Sequence, residues 1–277
     1  MTTTTVASPT GSRKALPPVR YGLSGLVRSE WTKLRAVRST IWAIGLTVVV
    51  GIAVGVIAAA VSRATWNSNT ALGHGNFDPI RTSLTGVFLA QLTIGILGVL
   101  VVSAEYSTGT IRATFAAAPR RPMVLVAKAL VFGVVALVAC EIVSFASFFI
   151  GQALLTAPAT HVTISSPGAL RAVLGTGLYL CVIGLFALAL AAIIRHTAGA
   201  LSAFVGILLV LPLVLDFLPN SIQNSVQRFL PSQIESALIA QHVPAHSFDP
   251  WIGLILLAAY TAVLLVVGGV LLVRRDA

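Results

Sequence analysis

Six runs of about twenty apolar residues constrain this chain more than any other feature. They cover 39–62, 82–104, 129–155, 172–194, 197–218 and 251–273. At 1.5 Å rise per residue, about twenty apolar residues are what an α-helix needs to cross a hydrocarbon core of about 30 Å. A transmembrane barrel is excluded, because its strands alternate over about ten residues instead of staying apolar for twenty. Only 9% of the 277 residues are charged, against about 25% in a soluble globular domain, too few to coat a water-facing surface. The sequence therefore reads as an all-α polytopic membrane protein with six transmembrane helices.

The basic residues orient the bundle. Seven of the 18 Lys and Arg precede the first run, four lie in the second connection (Arg112, Arg120, Arg121, Lys128), one in the fourth (Arg195) and two at the C-terminus (Arg274, Arg275). Only Arg63, Arg81, Arg171 and Arg228 fall on the other side. Because basic residues accumulate on the cytoplasmic side, both termini are expected in the cytoplasm, with the chain a multi-pass protein of the plasma (inner) membrane. The net charge of +10 does not indicate nucleic acid. Binders of that kind gather Lys and Arg on one solvated face, whereas here they flank the apolar runs, so the expected partner is the lipid bilayer.

Residues 1–20 are rich in Thr, Ser and Pro and carry too little apolar surface to fold, which predicts a disordered cytoplasmic tail. They do not read as a signal peptide, because the first apolar run begins only near residue 39 and is too long for one. Residues 21–38, YGLSGLVRSEWTKLRAVR, put Leu23, Val27, Trp31 and Leu34 on one helical face with Arg28 and Arg35 opposite, the pattern of a helix lying in the interface. Glu30 interrupts the apolar arc, so this face is expected to meet protein as well as lipid. Residues 39–277 then form the six-helix domain. Its outer connection, 219–250, is too long for a plain turn. There Ile222, Val226 and Phe229 recur at helical spacing, and Ser232 with Glu235 forms a capping box after Pro231, which predicts two short extracellular amphipathic helices before the last span.

Little in the chain suggests catalysis. Cys140 and Cys181 lie inside apolar runs and read as small packing residues. The histidines show no metal-ligand spacing, and none of Lys14, Lys33 and Lys128 follows a glycine, so there is no phosphate loop. No catalytic residue, metal or cofactor is assigned to the chain. Glu141 sits 13 residues beyond Lys128, roughly 20 Å deep, where an ionisable group is costly and by default a functional candidate. Gln91 lies at a similar depth in the second run, so either the two share an interhelical hydrogen bond or Glu141 serves substrate passage or gating. Asp216, after a helix-kinking Pro212, is near enough to the outer surface to reach water. Gly51 and Gly55 form a G-x-x-x-G that permits close helix approach, suited equally to packing within the subunit or to a dimer seam.

The most distinctive connection is 104–130, AEYSTGTIRATFAAAPRRPMVLVAKAL. From Glu105 at the membrane boundary, through Gly109, Thr110, Ile111, Arg112 and Phe115, polar and apolar side chains alternate as in a short helix docking on another protein. Basic residues follow that hold the third span at the headgroups. Glu105 has Arg112, seven residues on, or a base of the interface helix as partner; the plain alternative is a solvated surface pair.

The stretches RSEWTKLRAVRST at 28–40 and EYSTGTIRATFAAAPRRP at 105–122 resemble the membrane subunits of type-2 ABC exporters, the ABC-2 permeases, especially compact bacterial six-helix members. The resemblance implies an interface helix near 23–38 carrying Glu30, Trp31, Lys33 and Arg35, a coupling helix within 105–121, and short outer helices before the sixth span. It implies the permease of an exporter that moves a small molecule, lipid or peptide. It also implies a separate cytoplasmic ATPase subunit, two copies of which sandwich ATP and Mg while two permease copies, a homodimer, form the path. ATP hydrolysis then belongs to the partner. The other reading is a membrane anchor, sensor or immunity protein that transports nothing.

Overall fold

The computed structural model describes residues 22–66, 77–111, 114, 121–157, 159–241 and 247–274, and all regular structure among them is helical. Six helical stretches are long and apolar enough to cross a membrane. Helix α1 (Leu23–Ala36) ends at Val37, whose backbone is extended at φ −85° and ψ 104°. The chain then turns into α2 (Arg38–Ala64), the first span. A short helix α3 (Pro79–Ser83) precedes α4 (Val87–Ser107), and α5 (Arg121–Leu154) and α6 (Ala169–Ile194) are the third and fourth spans. The fifth is composite: α7 (Thr197–Val205), a π-helical turn (Gly206–Val210) and α8 (Leu211–Leu215). Helices α9 (Asn220–Gln227) and α10 (Pro231–Ile239) lead to α11 (Pro250–Arg274), the sixth.

Helix α6 is the axle. It packs against α4, α5 and α11, and also touches α7 and α10. Its length is studded with buried Gly175, Gly177, Gly184, Ala187, Ala189, Ala191 and Ala192, and small residues are what let helix backbones approach closely in a membrane. Gly98 of α4 meets the Gly184 carbonyl so closely that a Cβ has no room. Helix α2 joins through a stripe at four-residue spacing, Thr47, Gly51, Gly55 and Ala59, its only buried positions. A Cβ on Gly51 would press on Val143 and Ala90, and one on Gly55 on Ser83 and Ser147. The G-x-x-x-G is thus used within the subunit.

The spans depart from their expected bounds where a tertiary contact intervenes. The second is not continuous from residue 82. It breaks at a turn over 84–86, because Gly86 rests directly on the Gly51 backbone carbonyl. The third is already helical at Arg121, eight residues before the expected start. At 34 residues it is about 51 Å long, more than the hydrocarbon core requires. The fifth is disturbed one turn before Pro212: the ladder lengthens so that the Leu211 N–H reaches the Gly206 carbonyl, relieving the clash a proline ring makes with the preceding turn. The Ser232–Glu235 capping box does not form. Leu230 is the N-cap, and Pro231, its φ preset for a first helical position, starts α10 two residues too early for Ser232 to cap it.

Both ends of the bundle are tied. At one, Asp78 Oδ1 accepts from the N–H groups of Ile80 (2.9 Å) and Arg81 (3.0 Å), and its Oδ2 accepts from Gln241 N (2.7 Å). Gln152 of α5 donates there to the Pro79 carbonyl (2.8 Å) and Ser83 Oγ (2.9 Å) and accepts from Val162 N (2.8 Å). At the other, Arg195 caps α6 in the left-handed region (φ 61°). Its guanidinium donates to the Leu271 carbonyl at 2.8 Å and lies over the Tyr106 ring, while Arg121 donates to the Leu272 carbonyl at 3.3 Å. Two carbonyls of the last turn of α11, a turn whose carbonyls lack partners within the helix, are thereby met.

The backbone approach of α4 to α6 predicts a contrast between two glycines. Gly98→Ala should lower the unfolding free energy by about 1–3 kcal/mol, since a backbone carbonyl has to move. Gly133→Ala, whose new Cβ would meet only the Leu185 methyls at 3.6 Å, should be neutral. Unfolding midpoints of the two variants in detergent check this, and equal midpoints contradict the packing.

Candidate functional site

The elbow between α1 and α2 turns one face of α1 onto the start of α5. That inward face is centred on Glu30, only 6% exposed, while Leu23 and Trp31 of the apolar arc remain exposed. Arg35 is not opposite Trp31 but stacks over its ring at 5.9 Å, as a residue four positions on must. A carboxylate so buried needs compensation, and two lysines supply it. Lys33 Nζ donates to Glu30 Oε1 at 2.8 Å, and Lys128 Nζ to Glu30 Oε2 at 2.7 Å. Both lysines also donate to Glu105 Oε1, at 3.1 and 3.0 Å, and Lys33 reaches Thr114 Oγ1 at 3.4 Å.

The four side chains make a closed ring of alternating charge with no net charge. It joins α1, the last turn of α4 and the second turn of α5. Desolvation pushes the Glu30 carboxyl up, but the Lys128 and Lys33 ammoniums outweigh it and hold the group below its ordinary value. Desolvation likewise pushes Lys33 down, and Glu30 and Glu105 outweigh it, leaving its ammonium above the ordinary lysine range. Glu105 is thus bound to a base of the interface helix and is no solvated surface pair, its side chain being 14% exposed; Arg112 lies outside the described residues.

Beyond Glu105 the chain leaves α4 through a hydroxyl-lined turn. Thr108 Oγ1 donates to the Ala104 carbonyl at 2.8 Å, and Gly109 adopts φ +72° with nothing within 4 Å of a would-be Cβ. Ser107, Thr108, Gly109 and Thr110 are exposed. Ile111 is not part of that surface; it turns inward, 7% exposed, beside Val102, Tyr106 and Val124, because an apolar side chain one turn past a helix end gains most by packing back on it. Phe115, like Pro119 and Arg120, lies outside the described residues.

Deeper in the bundle the two polar residues do not meet. Gln91 Oε1 accepts from the Tyr179 hydroxyl at 2.8 Å, both residues being buried. The Glu141 carboxyl instead sits over Gly177 of α6, and its Oε2 has no hydrogen-bond partner among the described residues. Equal depth does not bring them together because the two side chains leave their helices in different directions. Asp216 accepts from Gln223 Nε2 at 3.0 Å in an exposed setting. Among the described residues no group of His, Cys, Asp and Glu is placed to hold a metal; His74, His242 and His246 lie outside them.

Sequence reasoning missed Lys128, Thr114 and Tyr179 as partners. Lys128 carries a readable signal: a lysine seven residues inside a helix that is apolar all round requires a buried carboxylate, and Glu30 is the carboxylate out of place in its own arc.

Removing one member of the ring should cost more than removing a pair. Lys128→Met is expected to lower stability by about 3–5 kcal/mol, because it strands buried carboxylate charge, and adding Glu30→Gln should restore most of that loss. Since the Glu30 pKa lies below 4.5 in the fold, its contribution is complete above that value and is lost as pH falls through the lowered one. Lys33, raised above 10.5, contributes fully below that value and loses its contribution as pH rises through the raised one. Unfolding midpoints of the chain and both variants from about pH 2 to about pH 12 provide the check; a double variant no more stable than Lys128→Met at neutral pH contradicts the ring.

Comparison with known proteins agrees with this architecture. No curated protein matches the chain. The model of one family, described as ABC-2 family transporter protein, matches residues 26–218, a stretch that takes in most of α1, the charge ring, the turn at Gly109 and five of the six spans. With more than half of its length matched and six helices fit to span a membrane, the chain belongs to the ABC-2 transporter family.

Proposed function

We propose that the chain is the permease subunit of an ABC exporter, working as a homodimer with a separate cytoplasmic ATPase, and that residues 105–121 carry the ATPase cycle to the spans. Family membership supports a membrane transport component that is not itself catalytic. The sequence lacks a phosphate loop, which agrees with ATP and Mg being held by a partner. The observation that carries the coupling role is the charge ring. Glu105 stands two residues before the exposed turn and is bound through Lys33 and Lys128 to α1 and α5. A push on the turn therefore reaches three helices at once.

The same end of the bundle holds α1, Arg121, Arg195 and the last turn of α11. The weight of Lys and Arg there supports a cytoplasmic placement for both termini, with α9 and α10 outside. A cysteine at Ser225, in a chain freed of Cys140 and Cys181, should label from outside intact cells with an impermeant reagent, and one at Ser107 should not. Labelling of Ser107 from outside reverses the orientation.

Gly109 isolates the coupling role from packing. Its positive φ suits Gly and tolerates Asn, and it is a severe strain for a β-branched residue, while the open space around it removes any steric cost. Gly109→Val should reduce export and permease-stimulated ATP hydrolysis by about tenfold or more with normal membrane expression, and Gly109→Asn should retain most of both. Native mass spectrometry of the same complex should show two copies of this chain with two ATPase subunits. Full stimulation by Gly109→Val would remove the coupling role, and a working complex with one permease copy would remove the homodimer.

A further inference from the structure

Next to the charge ring lies a cavity of about 640 Å³, bounded by the α1–α2 elbow, α4 and α5. Its two ends differ in chemistry. One is walled by Ala43, Leu97, Leu100, Val101 and Val131, and the other by the ring with the hydroxyls of Ser39, Thr40, Thr108 and Thr114. From Glu105 to Leu97 the cavity follows α4 for eight residues, about 12 Å, from the helix end toward hydrocarbon depth. Its volume is within the range of a pocket that encloses a ligand. Leu100, part of the apolar wall, is 38% exposed, so the cavity is open sideways at a level where a span meets lipid.

Charge completes the description. Inside the ring the carboxylates are covered, with Glu30 and Glu105 side chains 7% and 14% exposed, while Lys33 is 40% exposed. On the elbow, Arg38 is exposed between Val37 and Ser39, both of which line the cavity, and Arg28 and Arg35 are exposed elsewhere on α1. Trp31 beside them, also exposed, is the residue type that settles at headgroup level. The ring cancels itself, so the uncompensated charge of α1 and the elbow is that of the arginines, with Arg38 beside the cavity, and a positive surface at the end of a span selects acidic headgroups. We infer that this cavity is a binding site for an anionic phospholipid of the leaflet next to α1, with one acyl chain along Leu97–Val101 and the headgroup beside Lys33 and the elbow at Arg38. The bound lipid would fill the space between the interface helix and the second span. This assignment goes beyond the transport reading and does not depend on an ATPase.

The test uses the full chain alone in phosphatidylcholine vesicles containing phosphatidylglycerol with a diazirine at the end of one acyl chain. After irradiation, adducts mapped by mass spectrometry should concentrate on residues 97–101. Unlabelled phosphatidylglycerol should compete about tenfold better than added phosphatidylcholine. Ala43→Trp, which fills the acyl channel and leaves all four ring charges in place, should lower the yield about tenfold. If that variant does not fold, as judged by its unfolding midpoint, the competition in the unsubstituted chain decides. Adducts spread evenly over the exposed faces of α2 and α11, equal competition by phosphatidylcholine, or a second copy of the chain crosslinked at 97–101 would each overturn the assignment.

Discussion

Hydrocarbon offers no hydrogen bonds, so every backbone group that a span leaves unpaired has to be satisfied by the protein. The architecture follows from that constraint wherever the helices are irregular. The turn before α4 is possible because it lies against Gly51 of α2 and not against lipid. The π-helical turn keeps the fifth span's ladder intact just ahead of Pro212. Two carbonyls in the last turn of α11 are met by Arg121 of α5 and by Arg195, the cap of α6. Close packing through glycine and alanine then supplies what apolar burial cannot, since lipid tails are as apolar as leucine.

The charge ring obeys the same constraint at the membrane boundary. Two buried ion pairs are weak evidence for stability, because desolvation offsets much of their attraction. Their value here is geometric. Each lysine bonds both carboxylates, so α1, α4 and α5 have a single register in which all four groups are paired. Helix α1, which is not long and apolar enough to span a membrane and has little apolar surface to bury, is fixed to two spans by that requirement.

The six spans were legible because a run of twenty apolar residues has few other folds. Their ends were less so. Gly86 ends a helix through contact with a residue 35 positions away, and no local pattern encodes that; Arg120, Arg121 and Pro122 look like a loop, although Pro122 is compatible with a helix start. The site divides in the same way. Glu30 was visible as a charge out of place on its own helix and Glu105 as a carboxylate at a boundary, but their shared partner Lys128 is 98 residues from Glu30. Ile111 read as surface because alternation along a segment does not say which side faces the bundle. Gln91 and Glu141 share a depth, but the sequence gives no direction in the membrane plane, and Tyr179 is the residue that meets Gln91.

Helix α5 is unbroken from Arg121 to Leu154, and it has the properties of a lever. Lys128 near one end belongs to the charge ring, and Gln152 near the other holds the Pro79 carbonyl, Ser83 and the Val162 amide. These anchors are 24 residues apart, about 36 Å of helix. A rod of that length, pivoting by about 5° at the ring, sweeps its far end through about 3 Å, roughly the length of a hydrogen bond. A tilt of that size at the ring would be enough to part all three contacts of Gln152, so the register at one end of α5 and the hydrogen bonds at the other are tied together by the length of a single helix.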